Sequence, residues 1–285
     1  MRYISHRTAA NNHCIPHLPS IYPAGESVSR DYTFDSYNAR YQASNICIHT
    51  SQLPLPKGAI VKVGDIYVAS PELTFLQLAE ELDIQRLILL GLQMCYHPPG
   101  KPEEAVTSKE KIRSFLKKTK KHTGHRKAVR AAKYIENGSW SIMESFTYMF
   151  LTLPHLLGGY GLKGATLNHE IPLNAGNRKW FGVNRFFVDL YYKKARLAIE
   201  YQSHEYHATA SKQGEDMVRA SILEKQGIQV MQLSTIQLYN KNLLRDFAFV
   251  LAARLGKRIE IRTSQFGAMH EKLHNLLPRR EEQTS

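Results

Sequence analysis

Residues 185–207 read RFFVDLYYKKARLAIEYQSHEYH, with two apolar runs on either side of a basic turn. Phe, Val, Tyr, Leu and Ile dominate these runs, and such residues are enriched in β-strands. The intervening residues 193–196 are Lys-Lys-Ala-Arg. We therefore predict an antiparallel hairpin with strands at residues 184–192 and 196–202.

Two carboxylates face each other in that hairpin. Pairing Tyr192 with Leu197 continues to Asp189 opposite Glu200, and alternation along the strand places Gln202 on the face of Glu200. Like charges so placed repel each other, and the neighbouring residues are apolar. A cation between the two carboxylates would offset the repulsion.

The polar face of the hairpin has two interpretations. Oxygen ligands of this kind suit Mg²⁺ or Mn²⁺. Alternatively, Asp189 lies on an exposed edge and Glu200 pairs with a nearby basic side chain, without any metal. The residues alone leave both interpretations open.

The surrounding pattern indicates an α/β fold with a mixed central sheet flanked by helices. Apolar residues recur at helical spacing before, between and after short strand-like runs. The predicted helices are residues 142–153, 212–226 and 237–255, and the predicted further strands are residues 168–173 and 228–233.

The order of polar residues resembles that of the PD-(D/E)XK nuclease superfamily, and more closely the family related to very-short-patch-repair endonucleases. The stretch VDLYYKKARLAIEYQ carries most of this resemblance, which covers about residues 139–255. The matching residues, in order, are Asp189, Glu200-Tyr201-Gln202, His207, Asp216 with Arg219, and Gly227 before an apolar strand.

This resemblance implies a restriction-endonuclease-like core that hydrolyses DNA phosphodiester bonds with Mg²⁺ or Mn²⁺. Asp189 and Glu200 would hold the metal, aided by the backbone carbonyl of Tyr201. Gln202 stands where the family usually has Lys or an acidic residue. Glutamine can orient water but cannot act as a base near neutral pH. The alternative is therefore a catalytically inactive DNA-binding regulator.

Three further residues belong to the implied site. Glu144 corresponds to a helix-borne metal ligand of some family members, but with Ser141 it also forms an S-x-x-E capping box. His207 would contact substrate or metal. Arg219 would bind phosphate or steady a carboxylate, or else form an ion pair with Asp216.

A basic segment precedes this region. Residues 108–136 hold eleven Lys or Arg against two Glu, in a chain of net charge +13. We predict two helices broken near Thr123-Gly124, forming either a phosphate-contacting surface or a solvated face that keeps the protein soluble. The predicted DNA-binding residues are Lys117, Lys118, Lys120, Lys121, Arg126, Lys127, Arg130, Arg219 and His207.

The N-terminal half has a different character. Residues 1–50 lack periodicity, and we expect them to be loosely structured. Residues 59–70 predict a hairpin turning at Gly64-Asp65, followed by a helix that Ser70 caps. The stretch IYVASPELTFLQLAEEL resembles a segment of abortive-infection antitoxins, which implies a protein partner from a toxin–antitoxin or defence operon. An antitoxin-like partner protein is thus a further alternative function.

Cysteine content and the absence of long apolar runs indicate where the protein acts. The three cysteines are far apart, no signal sequence is visible and no run approaches 18 apolar residues, which indicates a cytoplasmic protein without membrane segments. DNA is the expected partner, and a second copy of the chain is another candidate. The predicted domains are an antitoxin-like α+β region (1–98), a linker with basic helices (99–136), a nuclease-like domain (137–262) and a C-terminal tail (263–285), which we expect to fray from about Lys272.

Overall fold

The computed structural model describes residues 2–22, 30–35, 45–202 and 210–279. The chain divides into two compact units. The first comprises Met1–His97 and Glu103–Asn137, and the second comprises Pro98–Pro102 and Gly138–Arg279. Each unit contains one mixed sheet with helices, so the predicted α/β class is confirmed at that level. No helix in the described ranges is long and apolar enough to cross a bilayer.

The first unit is built on a five-stranded sheet of order β3-β2-β1-β5-β4. The pairs β1/β2 and β4/β5 are antiparallel, whereas β2/β3 and β1/β5 are parallel. Its elements are β1 (Arg2–Ile4), α1 (His6–Asn12), α2 (Leu18–Ile21), β2 (Arg30–Phe34), β3 (Ile46–Thr50), β4 (Ile60–Val63), β5 (Ile66–Ala69), α3 (Pro71–Glu81), α4 (Ile84–Met94), α5 (Lys109–Lys118) and α6 (His125–Ala132).

The expectation of a loose N-terminal region is wrong for the described residues. Strand β1 lies in the middle of the sheet, because Ile4 pairs with Tyr32 on one side and Val68 on the other. These partners are distant in sequence, and a strand of three residues shows no period of its own. Pairing across the sheet, rather than local propensity, creates β1.

The second hairpin of this sheet follows its local signals. Gly64 adopts a positive φ of 60° at the turn between β4 and β5, a conformation that glycine tolerates without strain. The Ser70 side chain then accepts a hydrogen bond from the Leu73 N–H and caps α3. Pro71 occupies the first helical position, where a missing N–H costs nothing. The predicted hairpin and helix start are confirmed.

The basic helices α5 and α6 belong to the first unit, whereas the sequence suggested a separate segment over residues 99–136. Both helices pack against α3, and α6 also packs against α4. Ile112 and Leu116 are buried on α5, and Ala128 and Ala131 are buried on α6. The chain breaks between them at Gly124, at the predicted place, with φ of 75°.

The second unit is built on a four-stranded sheet of order β6-β7-β8-β9. Strands β6, β7 and β8 form an antiparallel meander, and α9 then leads to β9, which runs parallel to β8. Its elements are α7 (Ile142–Thr152), β6 (Thr166–Pro172), α8 (Ala175–Phe181), β7 (Arg185–Tyr192), β8 (Leu197–Gln202), α9 (Ala210–Lys225), β9 (Gln229–Ser234), α10 (Thr235–Tyr239), α11 (Lys241–Arg254) and α12 (Phe266–His274).

The central hairpin has the predicted register. Leu190 pairs with Ile199 and Tyr192 pairs with Leu197. Each strand has a neighbouring strand on either side, and Val188, Leu190, Leu197 and Ile199 are buried. The hairpin is thus the centre of the unit.

Two expectations for the C-terminal part are wrong. The helix predicted over residues 237–255 is interrupted at Asn240, whose side chain accepts hydrogen bonds from the first backbone N–H groups of α11. The tail predicted to fray from Lys272 instead continues α12, where Leu273 is buried. The buried His270 ring bonds to the Gly158 carbonyl through Nδ1 at 2.7 Å, which ties α12 to the unit.

We expect Gly91→Ala to lower the free energy of unfolding by about 1–2 kcal/mol, although alanine favours helices. A Cβ at this position would lie 2.2 Å from the Cδ1 atom of buried Ile135. The matched control is Gly214→Ala on α9, where nothing lies within 4 Å and a small stabilisation is expected. The readout is chemical denaturation of the full chain.

The clash also predicts coupling between the two positions. Ile135→Val removes the obstructing methyl group, so the double variant should lose less stability than the sum of the single variants. Additive losses would contradict this account of Gly91.

Candidate active site

Asp189 and Glu200 meet across the central hairpin. The Asp189 Oδ2 atom accepts a hydrogen bond of 2.7 Å from the Tyr201 N–H. The Glu200 carboxyl group lies close enough to influence the ionisation of Asp189. The two carboxyl groups therefore form a dyad at the centre of the unit.

Burial controls the ionisation of this dyad. It raises the pKa of Asp189, and the Tyr201 N–H and the Arg219 guanidinium only partly oppose that effect. Desolvation raises the pKa because it disfavours the charged form of the carboxyl group. The dyad consequently retains a proton at a higher pH than an exposed aspartate does.

Arg219 supplies the positive charge beside the dyad. This residue of α9 donates from Nη2 to the Glu200 Oε1 atom at 3.0 Å and to the Phe187 carbonyl. Its guanidinium lies 5.4 Å from the centre of the Phe186 ring. The buried Nε atom has no hydrogen-bond partner among the described residues. Arg219 thus contacts a carboxylate of the candidate site, that of Glu200.

Glu144 approaches the dyad from the start of α7. Its Oε2 atom accepts hydrogen bonds from the Trp140 N–H at 2.9 Å and from the Asn168 side chain. Burial, followed by the charge of Asp189, raises the pKa of Glu144 to about 8. Glu144 is thus electrostatically linked to the dyad although its hydrogen bonds are made elsewhere.

One of the two hydrogen bonds of the predicted capping box between Ser141 and Glu144 is present. The Ser141 hydroxyl accepts the Glu144 N–H at 3.0 Å, as an N-cap should. The returning bond goes to the Trp140 N–H, one residue before the cap, so the reciprocal box does not form. Asn168 was missed entirely, because a single Asn near the start of a strand carries no distinctive pattern.

Gln202 lies at the end of β8, where its side chain is exposed. Its carbonyl accepts a hydrogen bond of 3.2 Å from the Thr235 hydroxyl. The Tyr201 phenol lies 2.9 Å from the same hydroxyl, which fixes the ring. Thr235 is a second residue that the sequence did not single out, and it holds the end of the strand in place.

The structure thus brings Glu144, Asp189, Glu200 and Arg219 together. Glu144, Asp189 and Glu200 do not offer three oxygens that all lie within 4.8 Å of one another; the described triplets that meet this condition are in the first unit. His207 lies outside the described residues, as does the side chain of Asp216.

The predicted DNA-binding residues on α5, on α6 and in the turn between them differ in their surroundings. Lys127 is half-buried, and its ammonium donates to the Glu80 and Leu82 carbonyls at the end of α3. Lys127 is therefore a structural cap. The side chains that remain exposed are Lys117, Lys118, Lys120, Lys121, Arg126 and Arg130.

The raised pKa of Glu144 predicts a pH-dependent stability. A carboxyl group whose folded pKa exceeds its unfolded value stabilises the fold below about pH 4.5, and this stabilisation is lost as pH rises towards 8. Glu144→Gln should therefore be more stable than the wild type at pH 8.5 in EDTA, by about 3 kcal/mol, and not at pH 4.5.

The measurement is the free energy of unfolding as a function of pH. The matched control is Glu215→Gln, at an exposed glutamate of α9. If the free energies of unfolding of Glu144→Gln and the wild type differed by the same amount at both pH values, burial would not raise the pKa of Glu144 as assigned.

Comparison with known proteins assigns no family to this geometry. No protein-family model, no curated protein and no solved structure matches the chain. The resemblance to PD-(D/E)XK nucleases accordingly rests on the order of residues in the sequence.

Proposed function

We propose that the second unit hydrolyses phosphodiester bonds of DNA with the help of a divalent cation, Mg²⁺ or Mn²⁺. The observation that carries this proposal is the half-buried Asp189–Glu200 dyad, in which Asp189 accepts the Tyr201 N–H and Glu200 accepts Arg219. Strongly perturbed carboxyl groups next to a specific cationic partner are typical of functional sites. A purely structural hairpin would gain stability from apolar residues at both positions.

The arrangement of elements supports the same proposal. Helix α7 precedes a meander of three antiparallel strands, and α9 crosses over to a parallel fourth strand. This agrees with the mixed sheet flanked by helices that the resemblance implies. Glu144 on α7, the dyad on β7 and β8, and Arg219 on α9 come from the elements that would carry such a site.

The residues present suit a hard divalent cation. Asp189 and Glu200 offer carboxylate oxygens, the donors that Mg²⁺ prefers. These two residues would hold the metal, aided by the Tyr201 carbonyl, and Glu144 is a third carboxyl group that interacts electrostatically with Asp189. When bound, the ion would lower the pKa of a coordinated water and neutralise charge on the phosphate.

The remaining side chains have separate tasks. Arg219 donates a hydrogen bond to Glu200. If Glu200 bound a cation instead, the Arg219 guanidinium would be available to a phosphate group, which it can bind through two parallel hydrogen bonds. Gln202 orients the attacking water by hydrogen bonds and leaves proton transfer to solvent or phosphate, since an amide does not take up protons. The exposed basic side chains of α5 and α6 contact the DNA backbone.

We expect metal-dependent nicking of supercoiled plasmid or cleavage of single-stranded DNA by the wild-type chain. Asp189→Asn and Glu200→Gln preserve shape but remove charge, and each should lower the rate at least about 100-fold. The control is Asp246→Asn, an exposed aspartate of α11. Activity unaffected by both dyad substitutions would exclude this site.

Gln202 favours a second candidate function, because it replaces the residue that usually assists proton transfer. The chain would then bind DNA without cutting it. Gln202→Lys distinguishes the two: cleavage that appears only in this variant identifies the wild type as a binding protein built on a nuclease-like site. Cleavage by the wild type that increases in the variant supports the enzyme.

The exposed lysines of the basic segment predict that DNA binding depends strongly on salt concentration. Lys117→Ala/Lys121→Ala should reduce the slope of log K against log salt for a DNA duplex by about 2, because each phosphate contact releases about one counterion. Lys57→Ala/Lys62→Ala removes two exposed lysines of the same unit outside α5 and α6, and serves as the control. Binding is measured in EDTA with Asp189→Asn in every variant. Equal slopes would show that α5 and α6 are merely solvated.

A further inference from the structure

A second group of ligand-type side chains lies in the first unit. Two triplets of described residues there have ligand atoms that all lie within 4.8 Å of one another: His6, His49 and Glu81, and Asp31, Cys47 and His49. His49 belongs to both. This cluster has no part in the proposed hydrolysis, and the sequence spacing gave no sign of it, since Cys47 and His49 are separated from Asp31 by a long connection.

The parallel strands β2 and β3 place the second triplet. Asp31 pairs with Cys47, and side chains two residues apart share a face, so Cys47 and His49 project on the same side. The His49 Nε2 atom lies 3.2 Å from the Asp31 Oδ1 atom. The Cys47 Sγ atom lies within 4.8 Å of a carboxylate oxygen of Asp31 and of a ring nitrogen of His49. Three different donor types, carboxylate, thiol and imidazole, therefore converge at one edge of the sheet.

Asp31 is held in position from behind. Its Oδ2 atom accepts two hydrogen bonds of 3.1 Å, from the Thr8 N–H and the Thr8 hydroxyl. Burial alone would raise the pKa of Asp31, but the hydrogen bonds from His49 and Thr8 outweigh it and lower the pKa. The carboxylate is therefore ionised, with Oδ1 directed at His49. Such outer bonds are what orients carboxylate ligands in metal sites.

Cys47 is not an activated nucleophile. Burial, together with the charges of Asp31 and Glu81, raises the pKa of its thiol. Reactive cysteines require the opposite, a pKa lowered by a cationic environment. A bound metal ion would supply the positive charge that allows Cys47 to act as a thiolate ligand.

Ring geometry decides between the two triplets. His6 and His49 stack, with centroids 3.5 Å apart and planes inclined by 16°. A metal ion lies in the plane of each imidazole that binds it, about 2.0–2.1 Å from the nitrogen. Two nearly parallel rings at this separation cannot both point at one ion. His6 therefore covers the ring of His49, and burial, which lowers its pKa to about 3, keeps it neutral there.

We propose that Asp31 Oδ1, Cys47 Sγ and His49 Nε2 bind one Zn²⁺ ion, with the fourth coordination position open to water. This mixed set of sulfur, nitrogen and oxygen donors is typical of zinc, and three protein ligands with one open position are typical of non-structural zinc sites. On binding, the Cys47 thiol proton passes to solvent, and the His49 proton moves to Nδ1 so that Nε2 offers its lone pair.

The experiment is a Co²⁺ titration of the full chain after removal of metal with EDTA. We expect one equivalent to produce the visible bands of tetrahedral Co²⁺ and a thiolate-to-cobalt charge-transfer band, both abolished by added Zn²⁺. Cys47→Ser should eliminate the charge-transfer band. Cys14→Ser, at an exposed cysteine of the same unit, is the matched control and should retain it.

Two further variants keep the test decisive if Cys47→Ser does not fold. Asp31→Asn and His49→Gln approximate the native shapes, and each should weaken Co²⁺ binding at least about 10-fold. Asp189→Asn/Glu200→Gln in the second unit should leave the charge-transfer band unchanged. Absence of the band in the wild type, or its persistence in Cys47→Ser, would overturn the proposal.

Discussion

The desolvation of Asp189 and Glu200 is the constraint on which the second unit depends. Both side chains sit on the central strands among buried apolar residues, and burial raises the pKa of Asp189. The arrangement opposes folding unless something compensates, and Arg219 and the Tyr201 N–H provide that compensation. The Phe187 and Glu200 contacts of Arg219 in turn fix α9 against the hairpin.

The first unit handles buried charge differently. Asp31 is compensated by hydrogen-bond donors, Thr8 and His49, and it stays ionised. A neutral His6 packs over one face of the His49 ring. The two proposed cation sites therefore differ in their donors. The oxygen donors of the second unit would suit Mg²⁺, and the oxygen, nitrogen and sulfur donors of the first unit would suit Zn²⁺.

The sequence predicted those features that depend on near neighbours. The hairpin register follows from Asp189 and Glu200 lying eleven positions apart around a short turn, and the Ser70 and Ser141 caps follow from residues within one helical turn. Strand β1, Asn168 and helix α12 were missed because their partners are distant. The cluster around His49 was missed for the same reason: only the parallel pairing of β2 with β3 makes Asp31 a neighbour of Cys47.

The central position of β1 has a consequence for synthesis of the protein. Residues 2–4 leave the ribosome before residue 68, but one side of β1 pairs with Val68 on β5. At about 5–20 residues per second, that partner emerges several seconds later. During this interval one edge of β1 has no partner strand, and unpaired strand edges promote aggregation. The five-stranded sheet closes only once the hairpin of β4 and β5 has been made, so a ribosome that pauses before residue 69 leaves an incomplete sheet.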